Sequence, residues 1–243
     1  DLAFYSNSGE LREREGVPKA GPISETQQRE LIHGYAACVS YIDAQVGLLM
    51  KTLDETGIAD NTIICFWGDH GWHLGEHGHW GKLTNYEDAA RAPLIISAPG
   101  FSGGVKATAL TEFLDVYPTL CQLASLPTPT HVEGKSLVTL MRGEEVSIHK
   151  AATTQMSRGT GKNATMGWSM RTSRYRYIEW RAADFSEQKP VFGNQTLAVE
   201  LYDYQTDPHE RENIAGKAEC SALLKEQQRL FDDLLPHLTR RSG

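Results

Sequence analysis

The segment from Gly68 to Lys82 brings together side chains that bind metals, transfer protons and hold anions. It contains four histidines, two acidic residues, two tryptophans and one lysine, separated by glycines that permit tight turns. Asp69 and His70 provide a carboxylate and an imidazole, and both groups ligate divalent metals. Lys82 can place a compact positive charge over a bound anion. The segment therefore predicts a metal site at Asp69 and His70 and an anion contact at Lys82.

These three residues also have a purely structural interpretation. Asp69 could cap a turn, and His70 could be a histidine whose hydrogen bonds are satisfied locally. Lys82 could be a solvated surface lysine, although it closes the same glycine-rich segment.

The remaining rings of the segment are candidate substrate contacts. His73, His77 and His79 could donate protons or contact a substrate, or could only hydrogen-bond to the backbone. We take His73 and His77 as substrate-binding candidates. Trp72 could form the wall of a pocket for a sugar or aryl group, whereas Trp80 is better explained by packing under the loop.

Two short apolar runs are predicted to be strands that position this segment. Residues 62–67 lead directly into it, and residues 93–98 follow it. Their continuous apolarity is typical of strands that are buried on both faces of a parallel sheet covered by helices. Ligands of α/β folds bind at the carboxyl ends of strands, which is where Asp69 and His70 lie.

A long helix is predicted over residues 24–56. Ser24 and Gln27 fit a capping box at its start, and Gly57 fits the residue that ends it. Apolar residues recur between them at spacings of three and four, at Leu31, Tyr35, Cys38, Val39, Ile42, Val46, Leu49 and Leu53. A second capping box is predicted at Thr84 to Glu87. The helix is long enough to lie across a sheet, and the alternation of strands and helices predicts an α/β fold.

The sequence pattern changes after about residue 145. Strands are predicted at residues 151–156, 166–172, 175–180 and 198–202, followed by an amphipathic helix at 221–238. We expect residues 1–145 to be part of an α/β catalytic domain, and residues 146–243 to form a small α+β subdomain with an antiparallel sheet.

Composition excludes several classes of protein. The 243 residues carry a formal charge of −7, which argues against nucleic acid as a partner because phosphate binding needs a basic face. We find no apolar run of the roughly 20 residues that a membrane span requires. The first residues lack the apolar core of a signal peptide, and the sequence leaves the localisation open.

The four cysteines, Cys38, Cys65, Cys121 and Cys220, are widely spaced and form no C-x-x-C pair. This spacing excludes a zinc ribbon or a thioredoxin-type motif, and we interpret the cysteines as small buried apolar residues.

The motif G-D-H-G-W-x-L-G-E-H-G-x-W-x-K, from Gly68 to Lys82, resembles that of type I sulfatases in the alkaline-phosphatase-like superfamily, and is most similar to the iduronate-2-sulfatase type. Residues 35–47 resemble the family's helix before this strand, and residues 200–214 resemble its closing L-Y-D…D-P motif. The resemblance covers residues 24–235, the C-terminal part of such an enzyme. It implies part of a mostly parallel sheet with helices, followed by the small subdomain.

The resemblance implies a sulfuric ester hydrolase that acts on a sulfated sugar. Asp69 and His70 match two ligands of a divalent metal, usually Ca²⁺, although hard cations ordinarily prefer oxygen ligands to histidine. Lys82 matches a catalytic lysine that contacts the sulfate, and Trp72 matches a substrate-pocket position. Members of the family are often periplasmic, secreted or lysosomal.

One part of the family's machinery is missing from this sequence. The nucleophile is a formylglycine made from the first residue of a C/S-x-P/A-x-R motif, and no cysteine or serine here begins such a motif. The paired aspartates of the family's first strand are also absent. Because Ca²⁺ takes six to eight ligands, we expect this chain alone to be inactive and to bind metal weakly or not at all. We also expect an exposed apolar patch, which a missing N-terminal segment or a dimer partner would cover.

Two other functions are compatible with the motif. A phosphatase or phosphodiesterase of the same superfamily could use the aspartate–histidine pair with Zn²⁺ or Mn²⁺. A pseudo-sulfatase that binds sulfated glycans without catalysis would also lack the nucleophile.

Overall fold

A computed structural model describes residues 8–186 and 190–240. The helices are α1 (Gly9–Arg12), α2 (Glu25–Thr56), α3 (Glu87–Ala90), α4 (Val116–Leu123), α5 (Val138–Met141) and α6 (Ser221–Arg240). The strands are β1 (Ile64–Trp67), β2 (His73–Leu74), β3 (Trp80–Gly81), β4 (Leu94–Ser97), β5 (Ala152–Arg158), β6 (Ala164–Arg171), β7 (Tyr175–Asp184) and β8 (Val191–Asp203).

The described residues form two compact units. We call one the loop unit, which contains Ser8–Gly81 and Arg91–Ile148, and the other the sheet unit, which contains residues 82–90 together with 149–186 and 190–240. The short segment 82–90 thus belongs with residues that are far away in sequence. The predicted division of the chain at residue 145 stays a prediction.

Helix α2 begins and ends where its capping residues predict. The backbone N–H of Gln27 donates to Oγ of Ser24 at 3.3 Å, and Gly57 ends the helix with φ of 69°. None of its 32 residues is buried. Apolar side chains such as Tyr41 and Leu49 are 66% and 67% exposed. The predicted helix is confirmed, and its apolar side chains form an open surface of the loop unit.

Strands β1 and β4 pair with each other in antiparallel orientation, with Ile64 opposite Ser97 and Trp67 opposite Leu94. The expectation that both strands lie in a parallel sheet and are buried on both faces is wrong for the described residues, because the two strands pair antiparallel and Trp67 is 44% and Ile95 60% exposed. Their apolar composition fits a covered sheet, but among the described residues this sheet has two strands. The apolar surface expected from the sequence is therefore present on α2, β1 and β4.

The sheet unit contains an antiparallel sheet in the order β5-β6-β7-β8, and α6 packs against it. The ring centroids of Tyr177 in β7 and Phe231 in α6 are 5.2 Å apart, and both residues are fully buried. These elements confirm the four strands and the closing helix predicted from the turn residues and the apolar spacing. The first three strands differ from the predicted bounds by up to four residues, whereas β8 begins seven residues before the predicted residue 198.

The capping box predicted at Thr84 to Glu87 does not form. Helix α3 begins at Glu87 itself, and the side chain of Glu87 forms ion pairs with Arg171 and Arg176. A carboxylate that binds two guanidinium groups is more strongly stabilised than one that caps a single N–H, which explains the difference.

Among the described helices, none has both the length and the apolarity that a membrane-crossing segment needs.

Candidate metal- and anion-binding residues

The end of β1 holds the start of the candidate loop in place. The backbone N–H of Gly68 donates to the carbonyl oxygen of Pro93 at 3.1 Å, which continues the pairing of β1 with β4 by one residue. A Cβ atom added at position 68 would lie 3.4 Å from Pro93 and 3.6 Å from Ala92, which are ordinary packing distances. Asp69 and His70 follow directly, at the carboxyl end of the strand as the sequence predicts.

Asp69 and His70 place an oxygen and a nitrogen ligand atom side by side. Nε2 of His70 lies 3.5 Å from Oδ2 of Asp69, whose side chain is 82% exposed. Nδ1 of His70 lies 2.8 Å from the carbonyl oxygen of Gly71. Since a carbonyl can only accept, Nδ1 carries a proton, and in the neutral form of the ring Nε2 presents a lone pair. Metal-bound histidines commonly show this arrangement, in which the second ring nitrogen donates to a backbone carbonyl.

This donor set fits a divalent metal, but only as part of a coordination sphere. One accessible carboxylate and one oriented imidazole supply two ligand positions, whereas Ca²⁺ takes six to eight. Asp69 and His70 would hold such an ion together with groups from elsewhere.

Between these residues and Lys82 the loop forms a small hairpin. β2 pairs antiparallel with β3, so that His73 lies opposite Gly81 and Leu74 opposite Trp80. The hairpin turns at Gly75, which has φ of 113°, and the backbone N–H of Gly75 donates to the carbonyl oxygen of His79 at 3.0 Å. The glycines of the motif therefore form the turn that brings its histidines together.

Three histidine rings form a cluster inside this hairpin. The ring centroid of His73 is 5.1 Å from that of His79 and 5.8 Å from that of His77. His73 and His79 are buried. Burial, and then the neighbouring rings of His79 and His77, lower the pKa of His73 to about 3. His73 is therefore neutral at physiological pH.

Ser8 joins this cluster, which the sequence did not indicate. Its Oγ lies 3.2 Å from Nδ1 of His79 and accepts a 2.8 Å hydrogen bond from the backbone N–H of Trp80. Ser8 is buried although it lies in a polar, irregular stretch, and such a stretch gives no periodic signal of burial.

The two tryptophans of the loop differ in exposure. Trp72 is 37% exposed, and its ring centroid lies 6.1 Å from that of His70. Trp80 is buried, and a Cβ atom added at Gly75 would lie 3.2 Å from its ring. The packing predicted for Trp80 is confirmed, and Trp72 presents an accessible ring beside the candidate metal ligand.

Lys82 belongs to the sheet unit, whereas Asp69 and His70 belong to the loop unit. Its side chain is partly buried, and its carbonyl oxygen accepts a 2.8 Å hydrogen bond from the backbone N–H of Thr84. The structure thus places Asp69 beside His70 and groups the other three histidines, while Lys82 begins the segment held by the antiparallel sheet.

A formylglycine has no matching precursor here. The residues that follow Cys38, Cys65, Cys121 and Cys220 do not match x-P/A-x-R, and no serine begins that motif. No chemical step in this chain can therefore be assigned to that group.

Two protein-family models match this chain. The model described as "Sulfatase" matches residues 10–126, and the model described as "N-sulphoglucosamine sulphohydrolase, C-terminal" matches residues 75–235.

Individual relatives agree with these models. The chain is 31% identical over 283 residues to iduronate 2-sulfatase of Mus musculus, covering 90% of this chain and 51% of the relative. A solved structure of a putative sulfatase from Bacteroides thetaiotaomicron has a TM-score of 0.76 at 28% identity, covering 89% of this chain and 45% of that chain. Phosphonate monoester hydrolase from Silicibacter pomeroyi has a TM-score of 0.74 at 27% identity, covering 94% and 44%.

The chain thus spans about half the length of this curated relative. The structural likenesses confirm the predicted fold class, part of an alkaline-phosphatase-like α/β fold followed by an antiparallel α+β sheet.

Proposed function

Because the chain belongs to the sulfatase family, we propose that its full-length protein hydrolyses sulfate esters of sugars in the manner of iduronate-2-sulfatase-type enzymes. The observation that carries the proposal is the Asp69–His70 pair at the end of β1, within a long motif whose every named position is filled from Gly68 to Lys82. The sugar is supported by the name of the relative that aligns with 90% of this chain.

Asp69 and His70 are proposed to hold a divalent metal, Ca²⁺, through Oδ and Nε2. The hydrogen bond from Nδ1 of His70 to Gly71 keeps the imidazole in the tautomer that can do so. When bound, such an ion neutralises charge on the sulfate oxygens.

Lys82 is proposed as the catalytic residue that stabilises negative charge on the sulfate through its ammonium group. Trp72 and His77 are proposed to contact the sugar, since the ring of Trp72 is accessible and His77 is partly so. His73, the other substrate-binding candidate, is fully buried, and it is proposed to support sugar binding through its ring contact with His77.

We propose that this chain alone does not turn over sulfate esters. The formylglycine motif is absent from its sequence, and the two candidate ligands are too few for Ca²⁺. The exposed surface of α2, β1 and β4 is proposed to be covered by the remainder of a full-length sulfatase or by a second copy.

A second candidate is hydrolysis of phosphate or phosphonate esters. It is favoured by the likeness to phosphonate monoester hydrolase at a TM-score of 0.74. A third, non-catalytic binding of sulfated glycans, is favoured by the missing nucleophile motif.

The experiment that separates these functions is a substrate panel on the full-length protein. Release of sulfate from a chromogenic sulfate ester and from sulfated disaccharides is compared with hydrolysis of the matching phosphate and phosphonate esters. We expect sulfate release to dominate. Faster turnover of phosphate or phosphonate esters would support the second candidate, and glycan binding without turnover would support the third.

A further inference from the structure

The residues that follow Lys82 are hydrogen-bonded to the antiparallel sheet at several positions. The carbonyl oxygen of Lys82 accepts from the N–H of Thr84, and Nη2 of Arg158 in β5 donates to the carbonyl oxygen of Leu83. Nδ2 of Asn85 donates to the carbonyl oxygen of Gly167 in β6 at 3.1 Å. The backbone next to Lys82 is therefore held by β5 and β6 of the same unit.

Close packing makes this attachment specific. A Cβ atom added at Gly167 would lie 2.7 Å from the ring of Trp180 and 2.8 Å from Nδ2 of Asn85. Asn85 is 1% exposed, and its buried amide fits here because Gly167 has no Cβ atom to clash with it.

The next residue is fixed by a buried carboxylate. The hydroxyl of Tyr86 donates to Oε2 of Glu200 at 2.7 Å. Glu200 is fully buried and also accepts from the hydroxyl of Tyr202 at 2.6 Å and from Nε1 of Trp180 at 2.7 Å. A buried carboxylate that accepts three hydrogen bonds holds its donors firmly in place. Removing any donor leaves a buried oxygen lone pair without a hydrogen bond, and water cannot replace it.

A second group of charges holds the end of the segment. Glu87 forms ion pairs with Arg171 and Arg176, and its backbone N–H donates to Oε2 of Glu210 at 2.8 Å. Arg176 is fully buried and also pairs with Glu210. The charges of these side chains are paired within the sheet unit, and they fix the end of the segment although Glu87 and Arg171 are 21% and 18% exposed.

We propose that Tyr86 and Glu200 are positioning residues, whose buried hydrogen bond sets the backbone from which Lys82 reaches the anion. The inference rests on the proposed role of Lys82 in sulfate binding. It assigns to the antiparallel sheet a task in the reaction, because Leu83, Asn85 and Tyr86, which follow Lys82, are hydrogen-bonded to residues of this sheet.

The test is a double-mutant cycle in the full-length protein, with the chromogenic sulfate ester as substrate. Tyr86→Phe removes one hydroxyl and keeps the ring. We expect it to lower kcat/KM about tenfold or more when Lys82 is present, and less than twofold in a Lys82→Ala background, because positioning residues act through the group they position. An equal loss in both backgrounds, or no loss in either, would overturn the proposal.

The matched control is Tyr177→Phe. Tyr177 in the same sheet donates a 2.7 Å hydrogen bond to the buried carboxylate of Glu179, and neither residue has a hydrogen bond or ion pair to segment 82–90 among those described. The variant therefore removes an equivalent buried hydrogen bond, and we expect its kcat/KM to stay within twofold of the wild type.

Amide hydrogen exchange of the same variants separates this inference from the proposed function. Tyr86→Phe should accelerate exchange of residues 83–90 at least tenfold, whereas Tyr177→Phe should not. If the wild type lacks sulfate-ester activity, the proposed function fails while this selective change still supports positioning of the segment. Unchanged exchange in Tyr86→Phe would overturn the positioning whatever the activity.

Discussion

Nε2 of His70 lies 3.5 Å from Oδ2 of Asp69, while Nδ1 of the same ring donates to the carbonyl oxygen of Gly71. The first contact places two ligand atoms together at the end of β1. The second selects, in the neutral ring, the tautomer that leaves Nε2 available to a metal. Adjacent residues in a strand ordinarily point apart, so this arrangement depends on the bend of the chain at Asp69 and His70, just after the last strand pairing at Gly68.

Metal removal should abolish sulfate release by the full-length protein, and Ca²⁺ should restore it. In His70→Ala, the Ca²⁺ concentration for half-maximal activity should rise about tenfold or more, because one of the two proposed ligands is lost. The measurement is a Ca²⁺ titration of activity after chelation. His131→Ala, at an exposed histidine of the loop unit, serves as the control. An unchanged titration in His70→Ala would remove this residue from the metal site.

Substitution of Lys82 should reduce catalysis without unfolding the protein. We expect Lys82→Ala to lower kcat/KM for a sulfate ester by about 10²–10³, the usual effect of losing a group that stabilises developing charge. Lys225→Ala removes an exposed lysine of the sheet unit and should have no effect. Steady-state kinetics of both variants measure the loss of catalysis, and thermal unfolding shows whether either variant is destabilised. Equal kinetics would show that Lys82 is a surface lysine.

Acid should destabilise the loop unit through His73. Its pKa falls from the ordinary value of about 6.5 to about 3 in the folded chain, so the unfolded state binds the proton more readily. Stability is therefore fully present above pH 6.5 and is lost as pH falls towards 3, by up to about 1.4 kcal/mol per pH unit. Urea unfolding at several pH values should show this slope in the wild type.

His73→Gln should flatten that slope, because it removes the titrating group, whereas His131→Gln at an exposed position should not. The difference between the two variants isolates His73 from the other groups that titrate over the same range. Identical slopes in both would contradict the burial-lowered pKa of His73.

The exposed apolar face of the loop unit should promote self-association of this 243-residue chain when it is produced by itself. We expect it to bind a hydrophobic dye or to self-associate in light scattering, because α2 carries unburied apolar residues such as Tyr41 and Leu49. A double Tyr41→Ser, Leu49→Ser variant should reduce the effect, and Val146→Ser, at a single exposed residue outside this face, should not. Dye binding unchanged by the double variant would argue against this surface.

Local patterns predicted the elements well. Ser24 and Gly57 marked the ends of α2, and turn residues marked the strands of the sheet unit, because caps and turns depend on nearby backbone geometry. The position of Asp69 and His70 followed from the strand before them. These features need no knowledge of distant parts of the chain.

Burial and distant pairing could not be predicted in the same way. The apolar stripe of α2 predicts that this face of the helix is buried, but among the described residues it is exposed to solvent. Tyr86 and Glu200 are 114 residues apart, and Glu87 and Arg176 are 89 apart. Single polar residues at such separations form no periodic pattern in the sequence. The ion pairs of Glu87, which replace the capping box expected at Thr84 to Glu87, therefore could not be predicted without the fold.

Asp69 at the end of β1 is proposed to support hydrolysis of sulfate esters. The most direct test of this claim is the rate of sulfate release by full-length Asp69→Ala, compared with Asp60→Ala, which removes an exposed carboxylate just before the same strand. We predict a loss of at least about 10²-fold in kcat/KM for Asp69→Ala and none for Asp60→Ala. Sulfate release by Asp69→Ala at the wild-type rate would contradict the claim.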